Sequence, residues 1–223
     1  RELGDLEAAR KAFEGAVALA PKSVEGLLSL GGVLRQLEKP EEAIACYRRA
    51  LEIDPENARA YNHLGNAYKD RDDLKTAEDC YRRALALDPE SAEAYLNLGN
   101  VFHLLGRFED AIAAFRRSVA CDPDYAHGHF GLGHLLLLLG RFREGWPEYA
   151  WRRLTADHLR KRKFSQPEWK GENLSGRTIL VWSEQGVGDE IMFSTCLRDL
   201  LRTAKPAACV LECDSRLLGL FKR

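Results

Sequence analysis

The sequence predicts a mainly α protein, an array of stacked antiparallel helix pairs, followed by a partial α/β unit of strand, helix and strand. Three observations predict it. Prolines recur at Pro21, Pro55, Pro89 and Pro123, each 34 residues after the last. Between them, apolar residues follow the three-and-four spacing of a helix face, as in Leu27, Leu30, Leu34 or Tyr61, Leu64, Tyr68. After Trp151 that spacing stops, and a short β-rich run begins at residue 178.

Composition bounds the rest. The 223 residues are 45% apolar and 30% charged, with 18 Gly and 8 Pro, which excludes disorder, collagen and disulfide-rich miniproteins. The longest aliphatic run, Leu135 to Leu139, falls far short of the roughly 20 residues that cross a bilayer, so no membrane span is expected. No basic stretch followed by an apolar one marks a signal peptide, so none is expected in these residues. Its first residue is Arg1, so the sequence is expected to be a piece of something longer.

The net charge of -1 hides a step. Residues 1–151 hold 19 Lys/Arg against 25 Asp/Glu, residues 152–170 hold 7 against 2, and residues 171–223 balance at 7 against 7. The basic stretch reads as a solvated linker; nucleic-acid binding through Arg160 to Lys163 is the weaker alternative. The six cysteines form no disulfide or zinc pattern. Cys46 and Cys80 sit one repeat apart, too far for a bond that needs Cα atoms within about 7 Å. They read as buried thiols of a reducing cytosol, which places the protein in the cytoplasm.

Each element follows from columns that share the 34-residue period. The first helix, at 5–20, is half a repeat, and Leu6, Ala9 and Phe13 would leave an apolar stripe open to self-association. Repeats at 24–57, 58–91 and 92–125 follow, then a divergent copy at 126–157. Leu30-Gly31, Leu64-Gly65, Leu98-Gly99 and Leu132-Gly133 mark where two helices of a hairpin press together, with the small residues Ala9, Ala43, Ala77, Ala111 and Gly145. An aromatic column of Phe13, Tyr47, Tyr81, Phe115 and Tyr149 is expected to fill the space beyond that contact. Proline ends each second helix. Turns are expected at Gly4, Lys39-Pro40, Asp72-Asp73, Gly106 and Gly140.

These columns resemble the tetratricopeptide repeat, a 34-residue helix–turn–helix unit, over residues 1–157. The resemblance implies a right-handed superhelix whose first helices line an inner groove for a protein or peptide. The groove-facing positions are Arg35, Asn62, His63, Asn66, Lys69, Asn97, Asn100, His103 and His134. Amides there can pair with a peptide backbone without reading its side chains. Repeat-bearing O-linked N-acetylglucosamine transferases present a groove asparagine; of the matching positions Ser29, His63, Asn97 and Gly131, only Asn97 keeps it. His127 and His134 lie about 10.5 Å apart along one helix, so no metal is expected, and no cofactor.

Residues 158–174 read as the basic linker, and 175–223 as a truncated Rossmann-like βαβ unit. Its strands are expected at 178–182 and 208–213, the first fully buried, with a helix at 189–203. The turn holds Gly186 and Gly188, but Ile191 stands where a dinucleotide fingerprint needs its third glycine, and no Gly-Lys-Ser/Thr marks a P-loop. The run Gln-Pro-Glu-Trp-Lys-Gly-Glu-Asn-Leu-Ser-Gly-Arg-Thr-Ile-Leu at 166–180, then Glu-Gln-Gly-Val-Gly-Asp-Glu-Ile at 184–191, resembles bacterial fusions of tetratricopeptide repeats to a lipopolysaccharide-heptosyltransferase-like domain. That resemblance implies a general-base role for Asp189, whose carboxylate a helix N-terminus would hold ionised. Two such lobes need roughly 300 residues. The chain as it stands is therefore expected to bind protein without turnover, and the intact parent to transfer a sugar from a nucleotide-activated donor. A non-catalytic adaptor is the alternative. The βαβ unit is a second route to self-association, through its unpaired strand edges.

Overall fold

The computed structural model describes residues 2–155, 167, 169, 171–181, 196–213 and 215–217. They divide between two compact units, Arg1–Thr155 and Ala156–Arg223.

The first unit is helical throughout. Its elements are α1 (Glu2–Leu19), α2 (Val24–Gln36), α3 (Pro40–Ile53), α4 (Ala58–Asp70), α5 (Leu74–Leu87), α6 (Ala92–Leu104), α7 (Phe108–Cys121), α8 (Ala126–Leu138) and α9 (Phe142–Tyr149), closed by a 3₁₀ turn at Ala150–Leu154. Helices pair as α2 with α3, α4 with α5, α6 with α7 and α8 with α9, and each first helix also leans on the second helix of the hairpin before it. The first helices α2, α4, α6 and α8 touch one another in sequence, which sets them on the inner side of the curve.

Local chemistry starts and stops these helices. Ser23, Asn57 and Ser91, again 34 apart, accept hydrogen bonds from the backbone N–H groups of Gly26, Ala60 and Ala94 at 3.1, 2.9 and 3.3 Å. Each satisfies one donor the first turn leaves unpaired. Tyr125 stands at that position in the last copy and caps nothing with its side chain. The turns inside the hairpins use one left-handed residue each: Glu38, Asp72, Gly106 and Gly140, with φ of 58°, 63°, 72° and 73°. Gly4 shares their phase but lies inside α1. The turn expected there does not form: the helix runs unbroken through Gly4 from Glu2.

The aromatic column corrects the expected packing. The ring does not lie beyond the glycine contact; it is the contact. A Cβ on Gly65 would sit 2.7 Å from the Tyr81 ring, and one on Gly99 2.6 Å from the Phe115 ring, with Gly31 and Tyr47 arranged alike. Tyr47, Tyr81 and Phe115 are accordingly buried, as are Ala43, Ala77 and Ala111 beside them. In the last hairpin the helices close further, and Gly133 meets the backbone of Glu148 and Tyr149. His129, buried there in place of the earlier tyrosines, bonds Glu148 and the Pro123 carbonyl through its two ring nitrogens and stacks on Trp151 at 4.1 Å.

In the second unit, β1 (Thr178–Val181) and β2 (Ala208–Leu211) pair in parallel, Thr178 opposite Ala208 and Val181 opposite Leu211, with α10 (Leu197–Ala204) between them in sequence. Leu174, Ile179 and Ala204 form its core, joined by Trp169 and Leu200. The first strand, expected to be buried on both faces, is not, since Leu180 is 42% exposed; on the second strand Val210 is 53% exposed. The one helix described between the strands, α10, covers one face only. The first part of the helix expected at 189–203 lies outside the described residues.

Gly65→Ala is expected to lower stability by about 1–3 kcal/mol, the cost of overpacking a filled site. Gly15→Ala, whose Cβ position has nothing within 4 Å, is expected to raise it by about 0.5–1 kcal/mol. Urea denaturation followed by circular dichroism checks both; shifts of the same sign would refute the ring-on-glycine packing.

Candidate functional site

The inner face is built by α2, α4, α6 and α8, and the structure sorts the nine predicted residues into two kinds. The first kind ties helices together, between repeats or within one. Asn97 Nδ2 donates to Asn62 Oδ1 at 3.0 Å, bridging α4 and α6, and the two are 8% and 5% exposed. Asn66, 8% exposed, accepts from the Tyr81 hydroxyl at 2.8 Å. Arg35 Nε donates to Asp70 at 2.7 Å, joining α2 to α4. His63 stacks on the Tyr47 ring at 5.7 Å.

The second kind still faces outward. Lys69 is half-buried beside Asp70 and Arg35, and burial pulls its pKa down against the opposing pull of Asp70. Asn100 is partly exposed and makes no side-chain hydrogen bond among the described residues. His103 meets His134 with ring centres 6.0 Å apart. Desolvation, then the neighbouring His103, lowers the His134 pKa. No group of three or more His, Cys, Asp or Glu side chains suited to a metal occurs among the described residues.

Comparison with known proteins decides the family of this array. Family models described as tetratricopeptide repeat match residues 62–126 and 1–23, and a model described as TPR repeat matches 31–71. The array is made of tetratricopeptide repeats. Solved structures agree. MamA is 28% identical, with a TM-score of 0.57 over 68% of this chain and 88% of its own. A thermophilic tetratricopeptide protein of Thermus thermophilus is 25% identical, with a TM-score of 0.61 over 70% and 85%. YrrB, titled as having an unusual peptide-binding site, is 26% identical, with a TM-score of 0.54 over 66% and 76%. Protein FlbA of Caulobacter vibrioides is 34% identical over 83 residues, a stretch that is 36% of this chain and 14% of FlbA. No helix among the described residues is long and apolar enough to cross a membrane.

Within the tetratricopeptide array, the structure brings together Arg35 with Lys69, Asn62 with Asn97, and His103 with His134. Asp189, Gly186 and Gly188 lie outside the described residues. Sequence reasoning missed Asp70, the anion between Arg35 and Lys69, and the hydroxyl chemistry of the aromatic column. Tyr81 finds Asn66, but 34 residues earlier Gly32 stands in place of that asparagine. The Tyr47 hydroxyl is buried with no hydrogen-bond partner among the described residues. Burial pushes its pKa up to about 12; the Arg35 guanidinium is near enough to oppose that rise, though not in bonding geometry. Phe115, the third member, has no hydroxyl to satisfy. The signal was present in the sequence as a matched pair of columns, 32/66/100 beside 47/81/115.

The two tyrosines are therefore expected to respond differently to loss of the hydroxyl. Tyr81→Phe strands the buried Asn66 carbonyl and should cost about 1–2 kcal/mol, whereas Tyr47→Phe should be neutral or stabilising. Urea midpoints of the two variants decide; an equal loss in both would show that Tyr47 has a partner after all.

Burial also lowers the His63 pKa, and Arg59 and Arg35 add to the effect while Glu93 and Glu25 oppose it. The folded state therefore refuses a proton that the unfolded chain takes up below its ordinary value of about 6.5. Stability from His63 is complete above that pH and declines as pH falls through it. His63→Asn should shrink the loss between pH 7.5 and 5.5, leaving the part due to His134; an unchanged pH slope in urea titrations would contradict this.

Proposed function

We propose that the tetratricopeptide array is a docking scaffold that holds an extended peptide or partner helix along its inner face. The observation that carries this reading is the division of the groove. Buried asparagines fix the spacing of the repeats, and Lys69, Asn100, His103 and His134 stand partly or fully exposed on the same helices. A row of polar groups held by rigid elements can pair with a peptide backbone at little ordering cost. The peptide-binding title of YrrB, at 26% identity, supports the same reading.

We further propose that the second unit begins a glycosyltransferase lobe of a larger cytoplasmic bacterial protein, with the groove delivering the acceptor. The sequence resemblance at 166–191 supports this, as does the strand–helix–strand order of β1, α10 and β2. Asp189 is the candidate base in the intact parent. A plain adaptor would need the array alone.

A photoreactive amino acid at Asn100 in the intact parent, with one at exposed Ala86 on α5 as the control, tests the groove in cells. A covalent adduct is expected at 100 and not at 86; adducts at 86 alone, or none at 100, would overturn the groove reading. Sugar on the captured protein supports the transferase, and an unmodified one supports the adaptor.

A further inference from the structure

The outer side of the array carries a second recessed surface, separate from the groove. Between α5 and α7, with α6 as its floor, lies an open cleft of about 310 Å³. Its floor holds the partly exposed Tyr95 and the buried Phe102, and its rim carries Arg82 from α5, Arg107 from the turn just before α7 and Arg117 from α7. All three guanidinium groups lie over the aromatic floor: Arg107 at 4.3 Å and Arg82 at 6.0 Å from the Phe102 ring centre, and Arg117 at 5.3 Å from that of Tyr95.

The charges on this rim do not cancel. Arg82 and Arg107 share Glu78, at 2.7 and 3.1 Å, and Arg107 also pairs with Asp110 at 2.7 Å. Arg117 has no carboxylate partner among the described residues. Tyr95 holds the Arg117 guanidinium and favours its charged form through its hydroxyl, and the remaining N–H donors of a guanidinium suit capture of a carboxylate.

The repeat supplies its own comparison. Shifted back by 34 residues, the same positions hold Arg48, Tyr61, Tyr68 and Arg83, but Arg107 becomes Asp73 and Ala113 becomes Asp79. The earlier copy therefore carries its own acids where the α5–α7 cleft has an arginine and an alanine. Ala113 also lines the cleft and keeps its wall low.

We propose that this outer cleft binds an acidic peptide segment of a partner protein. An apolar side chain of that segment rests on the exposed part of Tyr95 and on Ala113, with the buried Phe102 behind them, and a neighbouring carboxylate pairs with Arg117. A polynucleotide fits less well, since its successive phosphates would meet Glu78 and Asp110 on the same rim, whereas a single carboxylate needs only Arg117.

The test selects peptides from a random displayed library on the 223-residue chain and measures the enriched ones by fluorescence anisotropy. Enrichment of an acid beside an aromatic or aliphatic residue is expected. Arg117→Ala should weaken those peptides at least tenfold, and Ala113→Asp, which installs the acid of the earlier repeat, should do the same. Both sites are on the surface, and an unchanged circular dichroism spectrum confirms that the variants fold. Lys69→Ala, in the inner groove, should change affinity less than twofold. Peptides lost only with Lys69→Ala would sink the outer site and leave the groove reading standing. Peptides indifferent to Arg117 and Ala113, no enrichment of acids, or a single-stranded oligonucleotide binding as tightly as the best peptide would each overturn the proposal.

Discussion

The contact of an aromatic ring with a glycine sets the geometry on which the rest depends. Gly31, Gly65 and Gly99 let the rings of Tyr47, Tyr81 and Phe115 lie directly on the backbone of the first helix. A methyl group at any of these positions would occupy space the ring already fills. Because the ring is large and rigid, the distance between the two helices of each hairpin has little freedom. Hairpins of equal spacing can then stack in register, which is why the small residues and caps recur at one interval. The final hairpin departs from this rule, replacing ring on glycine by backbone on glycine at Gly133, and in the same copy His129 stacks on Trp151.

The same rings decide what the inner groove can offer. A buried tyrosine brings a hydroxyl that must be matched, and the matching residue stands on the groove side of the first helix. Asn66 is held inward by Tyr81 for this reason. Asn62 and Asn97 are held by each other, one residue off the repeat interval. Polar residues along the groove are thus partly structural, and the ones that we propose meet a partner are Lys69, Asn100, His103 and His134. The outer face follows a different logic. Its arginines are ordered by stacking on aromatic rings, and their charge balance varies from repeat to repeat while the backbone does not.

The repeat length, the helix pairs and the turns between them, Gly4 apart, were legible in the sequence. Each is enforced locally: proline cannot continue a helix, and only a small residue fits where helices touch. The α/β tail was legible in its order of elements and in the parallel pairing of its strands, although the half-exposed faces of Leu180 and Val210 were not. Only the tertiary structure decided which polar residues face one another. Asn62 and Asn97 are 35 residues apart, as are Arg35 and Asp70, so a search at the 34-residue period passes over both pairs. Their meeting depends on the stagger between neighbouring helices, which no single repeat encodes. That, among the described residues, the Tyr47 hydroxyl is unmatched and Arg117 meets no carboxylate has the same origin, because whether a donor finds an acceptor is settled by its surroundings in space and not by its place along the chain.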